Sequence, residues 1–188
     1  MGYTTWFDGT LQFNKEVTEE LKNFINKFAN VRHMKRDVDK IKEIDPEWNK
    51  YGYKGNLGTE GEYYIGGSRF MGQNKDVSVI DDNNPPMGVP GLWCQWIINN
   101  SNELEWDGGE KFYCYEEWLC YLIEHFFEPE GYVMNGEIMF TGEDDEDRGI
   151  IHVEDNKVYL EYGVCVYSMS NISDEELLAE CRKINLIA

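Results

Sequence analysis

Leu92-Trp93-Cys94-Gln95-Trp96-Ile97-Ile98, then the polar run Asn99-Asn100-Ser101-Asn102, then Glu103-Leu104-Glu105-Trp106, reads as two strands joined by a turn. A link this short returns the chain antiparallel, because a parallel neighbour needs a crossover of a dozen residues or more. Downstream, residues 115–127 place Trp118, Leu119, Leu122, Ile123 and Phe126 on one helical stripe, which Pro129 closes. Residues 131–142 and 149–162 alternate as strands do, with Asp155-Asn156 a candidate turn inside the second, and Ser173-Asp174-Glu175-Glu176 caps a last helix to about Ile184.

Upstream, residues 3–13 are rich in Thr and aromatics and are interrupted by Asp8-Gly9, so they read as a strand or a short hairpin that starts the sheet. Thr18 caps a helix to about Ala29. Glu19 and Glu20 suit its positive end, and Leu21, Phe24, Ile25 and Phe28 share one face. Residues 22–54 hold bases mixed with Asp37, Asp39, Glu43 and Asp45, the pattern of a solvated helix face followed by a loop. A loop-rich insertion follows at about 50–90, with glycines at 52, 55, 58, 61, 66, 67 and 72, Asn83-Asn84-Pro85-Pro86, and short β-prone runs at residues 62–65 and 77–80. The expectation is a single α+β domain over residues 1–188: one mostly antiparallel sheet with two or three helices on one face, in ferredoxin-like order.

Charge divides the chain. Residues 1–94 carry 14 acids against 12 bases, a balance of -2, whereas residues 95–188 carry 22 acids against 5 bases, a balance of -17. Such a field repels nucleic acid and anionic membrane and attracts cationic protein surfaces, so neither direct nucleic-acid binding nor membrane association is expected. No apolar run reaches the ~18 to 20 residues of a membrane span. Cys94, Cys114, Cys120, Cys165 and Cys181 are odd in number with no CxxC pair, and no signal-like stretch opens the chain, which reads as cytoplasmic with reduced thiols.

The motifs Gly91-Leu92-Trp93-Cys94-Gln95-Trp96, Trp106-Asp107-Gly108-Gly109-Glu110-Lys111-Phe112-Tyr113, Glu117-Trp118-Leu119, His125-Phe126, Gly131-Tyr132 and Asn135-Gly136-Glu137 resemble a family of small uncharacterised phage and prophage proteins. The resemblance covers residues 85–158. It transfers no catalytic role. It implies a context, a phage protein in the host cytoplasm that acts on host machinery, such as an inhibitor of defence nucleases.

The sequence names no catalytic residue, metal site or cofactor. His33, His125 and His152 stand apart from any ligand spacing, with His125 read as a complement to a helix dipole. The cysteines of the acidic half sit where nearby carboxylates favour the thiol. Trp93, Trp96, Trp106, Trp118, Tyr113 and Tyr115 read mainly as core. The candidate partner-binding residues are Glu143, Asp144, Asp145, Glu146 and Asp147 in one loop, and Glu116, Glu117, Glu124 and Glu128 along the helix. Their expected partner is a host protein with a basic groove, a nuclease or another nucleic-acid-binding protein, entered by mimicry of nucleic acid. Two alternatives stand beside this: a small-ligand or metal site, or an enzyme, at Asp107, Glu110 and Lys111, where a turn gathers carboxylates around one cation, and a phage structural or assembly component.

Overall fold

The computed structural model describes residues 2–66, 75–144 and 146–163. Cys165, Cys181 and the helix expected near residues 173–184 lie outside them. β1 (Trp6–Phe13) is the middle of a six-stranded sheet, flanked by β5 (Glu103–Trp106) and β6 (Met134–Thr141); β4 (Trp96–Ile98), β7 (Arg148–Glu154) and β8 (Lys157–Tyr162) complete the order β4-β5-β1-β6-β7-β8. Every neighbouring pair is antiparallel. The α+β arrangement is the expected one. Within it the strands form hairpins around β1, and the parallel pairing that split βαβ units bring to a ferredoxin-like sheet does not occur.

Alternation places Phe7, Leu11 and Phe13 of β1, Ile138 and Phe140 of β6, and Ile151 and Val153 of β7 on one face. The helices pack on that face. α1 (Glu19–Ala29) begins where the Thr18 hydroxyl accepts the Leu21 N–H at 3.3 Å, a cap worth about 1 kcal/mol. Its buried side, Leu21, Phe24, Ile25 and Phe28, meets α3 (Tyr115–Leu122) and the turn after it through Phe28–Trp118 and Phe24–Phe126 ring contacts at 6.0 and 5.3 Å. Residues 123–127 form a π-turn, whose wider spiral lets the adjacent Phe126 and Phe127 both reach the core at 0% exposure.

Several local expectations are refined. Asp8-Gly9 does not fold back: β1 runs straight through, and Gly9 at φ +121 is required because a Cβ there would stand 2.5 Å from the Glu137 carbonyl oxygen of β6. The second alternating stretch is a hairpin, turning at Asp155 and Asn156, both at positive φ. The basic region holds a short helix, α2 (Val38–Ile44), capped by Asp37, whose carboxylate accepts the Asp39 and Lys40 N–H groups. Of the two β-prone runs in the insertion, only the later forms a strand, β3 (Val79–Asp81), paired with β2 (Lys35–Arg36); residues 62–65 are turn and irregular structure. Arg36, 4% exposed, ties this small sheet down through Asp76 and Ser78, both at 2.8 Å. Among the described residues no helix is long and apolar enough to cross a membrane.

His33 is buried between α1 and α3, with Nε2 3.0 Å from the Phe28 carbonyl and its ring 4.2 Å from that of Phe28. Burial lowers its pKa from 6.5 to about 3, the carbonyl contact opposing this, so the folded protein keeps it neutral. The unfolded chain binds this proton below its ordinary pKa and the folded chain does not, so stability falls as pH drops from 6.5 toward 3. His33→Gln flattens this part of the urea-unfolding profile relative to the parent, by up to about 4 to 5 kcal/mol at the acid end. An unchanged pH slope means that the histidine is solvated. The two faces of β1 differ in the same assay: Phe7→Ala, on the packed face, costs about 3 to 5 kcal/mol, whereas Trp6→Ala, 51% exposed on the other, costs under about 1 kcal/mol.

Candidate functional site

The acidic loop is the β6–β7 connection, and it is braced from within and from the N-terminus. Gly142 N–H donates to the Asp147 carbonyl at 2.6 Å and Asp147 N–H to the Asp144 carbonyl at 2.9 Å. The Tyr3 hydroxyl donates to Asp147 Oδ2 at 2.7 Å and accepts the Asp144 N–H at 3.1 Å, while Thr4 N–H donates to Glu143 Oε1 at 2.8 Å. Two carboxylates thus act as fasteners. Those of Asp144 and Glu146 accept no hydrogen bond among the described residues, and Asp145 lies outside them.

The same N-terminal segment reaches the start of α3, since the Tyr3 N–H donates to the Tyr113 hydroxyl at 3.1 Å. Burial, then the charges of Glu116 and Asp147, push the Tyr115 phenol up, so the loop and the first turn of α3 both act on this group. The structure therefore brings Glu143, Asp144 and Asp147 to the same end of the molecule as Glu116 and Glu117. Burial first, and the neighbouring Glu117 after it, raise the Glu116 carboxyl. Glu124 and Glu128 do not join this end. With Glu117 they lie on the exposed side of the helical segment that runs from Tyr115 to Glu130. A shallow cleft of about 480 Å³ lies beside this side, walled by Val89, Pro90, Glu116, Glu117, Cys120 and Glu124.

The thiols here are poor nucleophiles. Burial raises Cys94, and burial followed by the charges of Glu117 and Glu116 raises Cys114 and Cys120. His125 lies in the last turn of the 123–127 segment, where its Nδ1 is 3.1 Å from the Tyr63 hydroxyl and its ring 4.2 Å from that of Tyr121. Among the described residues no three His, Cys, Asp or Glu side chains group closely enough to hold a metal ion.

Residues 107–111 form a braced turn whose keystone is Gln95. Its Nε2 donates to the Glu110 carbonyl at 2.9 Å, its Oε1 accepts the Trp106 indole N–H at 3.0 Å, and its carbonyl accepts the Asp107 N–H at 3.0 Å. Asp107 Oδ1 accepts the Gly109 N–H at 2.7 Å, and burial raises its carboxyl. Lys111, at φ +60, makes no ion pair with Asp107 or Glu110, contrary to the pairing that the sequence invites. Gln95, which sequence reasoning left out of this turn, organises it; its place next to Trp96, the partner of Trp106, is the signal that could have found it.

The two halves of the chain also differ in how charge is balanced. In the first half Lys35, Arg36, Lys40, Lys42, Lys50 and Lys75 each pair with a carboxylate of that half. Of the carboxylates between residues 103 and 161, Glu130 pairs with Lys54, while Glu137 and Glu161 meet His152. The chain matches no family model, no curated protein and no solved structure.

Tyr3→Phe removes the phenol that braces the loop, two hydrogen bonds with one to a charged acceptor. We expect amide exchange at Asp144 and Asp147 at least about tenfold faster, with the exchange of β6 core amides unchanged. Equal acceleration throughout the sheet means that Tyr3 supports the fold as a whole.

Proposed function

We propose that this chain is a phage-type acidic binding protein that enters the basic groove of a host nucleic-acid-binding protein, a defence nuclease foremost, and keeps nucleic acid out of it. The observation that carries this reading is the excess acidity of residues 95–188, 22 acids against 5 bases. Six bases of the first half pair with carboxylates of that half, whereas the second half has 22 acids for only five bases of its own. A field left open in this way speeds encounter with a cationic surface and falls with salt. The bracing by Tyr3 and Thr4 supports the same reading. A loop already held in place loses little entropy when it docks. The resemblance to phage proteins supplies the context of a host target.

The test is displacement. Host proteins retained on immobilised duplex DNA are challenged with the purified chain at about 10 µM, strong enough to report a complex of roughly -7 kcal/mol. A DNA-binding protein moves off the DNA into a complex with the chain, and the complex dissolves in high salt. Replacing Asp144 and Glu146 together with the corresponding amides weakens displacement at least about threefold, with the melting temperature held. Release of no DNA-bound protein overturns the reading.

A further inference from the structure

Among the described residues the helices cover one face of the sheet and leave the other open. On the open face Asp8, Met139, Ile150 and Glu161 form one row across β1, β6, β7 and β8, and Thr10, Glu137, His152 and Tyr159 form the next. Trp6, Thr141 and Arg148 form the row toward the acidic loop, where Arg148 is a cation on the same face. Trp6, Met139 and Tyr159 are 51%, 52% and 51% exposed. Single apolar side chains on a surface need no explanation. Here three large ones and Ile150 occupy neighbouring register positions on one flat face, and Trp, Met and Tyr are the residues in which protein interfaces are enriched.

Carboxylates border this apolar centre. Asp8 and Glu161 close the ends of its first row, and His152 lies between Glu137 and Glu161, with Nδ1 3.0 Å from one and Nε2 3.1 Å from the other. A second copy of the chain would set these carboxylates against their own images, with a net charge of -19 on each partner. A cationic partner meets no such cost. Four strands about 4.8 Å apart and eight residues at about 3.4 Å give the face roughly 500 Å². The adjoining loop extends this toward the roughly 800 Å² that one side of a standard interface presents.

The geometry points to the open face of the sheet as the docking surface, and to a protein with Lys or Arg side chains around an apolar patch as its occupant. Trp6, Met139 and Tyr159 make the contact, and Asp8, Glu137 and Glu161 select the charge of the partner. This rests on the acidic-docking reading and gives its location: on the sheet, with Glu143, Asp144 and Asp147 at the border, and not along α3.

The experiment uses the full chain with a photo-crosslinking benzoylphenylalanine in place of Tyr159, of Tyr113 or of Glu128, irradiated in bacterial lysate. The expected result is an adduct from position 159 to a nucleic-acid-binding protein, suppressed by added duplex DNA and absent from position 128. Adducts of that kind from position 113 or 128 alone overturn the location and leave the docking reading standing. An adduct from 159 to residues 164–188 of the same chain shows the face already covered and also overturns the location. No DNA-suppressible adduct from any position overturns both. As a second measurement on the same proposal, Met139→Ala with Tyr159→Ala weakens displacement from DNA at least tenfold at an unchanged melting temperature; undiminished displacement removes the face from the contact.

Discussion

The structure depends on β1 being paired along both edges. It joins the hairpin of β4 and β5 to the meander of β6, β7 and β8, so without it the sheet would be two pieces. Its packed face explains why it is held there. Phe7 stands 4.8 to 5.8 Å from the rings of Tyr115, Trp96, Trp106 and Phe112, which come from the head of α3, from β4, from β5 and from the loop between. Farther along, Phe13 meets Phe127 and Tyr132 at 5.0 and 5.9 Å. Edge-to-face aromatic pairs each add about 0.5 to 1.5 kcal/mol beyond the area they bury. A strand at the start of the chain thus closes contacts whose partners lie about a hundred residues away, and ordering any one element helps to order the others.

What could be read from the sequence follows the range of the interactions. Thr18 and the 3.6-residue spacing of Leu21, Phe24, Ile25 and Phe28 settle α1 locally, and the Asn99–Asn102 turn settles the β4–β5 hairpin. The strand order was not legible, because alternation shows that a strand has a buried face but not which strand lies beside it. The π-turn at residues 123–127 also left no local mark: a helical stripe accommodates Ile123 and Phe126, and only tertiary packing turns Phe127 inward as well. At Gly9 the local signal pointed the wrong way. Asp-Gly is a turn signal, but here the glycine serves the close approach of β6, a constraint from outside the segment.

The acidic residues were legible as a composition and not as a surface. Counting placed the excess in the second half; it could not show that two of the loop carboxylates are used to hold the loop, nor that the first turn of α3 shares an end of the molecule with it. Both facts come from Tyr3 and Thr4, ordinary residues in a segment read only as the start of the sheet. The division of labour is physical. A carboxylate that accepts a backbone N–H or a phenol gives up part of its attraction for an outside cation, so a loop of consecutive acids presents fewer recruiting groups than its sequence suggests.

The open side of the sheet and the uneven charge are connected through the same constraint. An antiparallel sheet can stand with one face in water, provided that its polar residues fall on that face and its edges do not recruit other strands. Carboxylates on the open face of β1, β6 and β8 meet the first need, and a net charge of -19 resists association between copies, which meets part of the second. Solubility alone would be served by any charge in those positions. It does not require Trp6, Met139 and Tyr159 among the carboxylates, since threonine suits a solvated strand as well and leaves no apolar surface exposed. Their presence costs solubility that the acids must restore, and a face that combines the two fits the proposed docking, in which a partner would cover the apolar centre and neutralise its border in one contact.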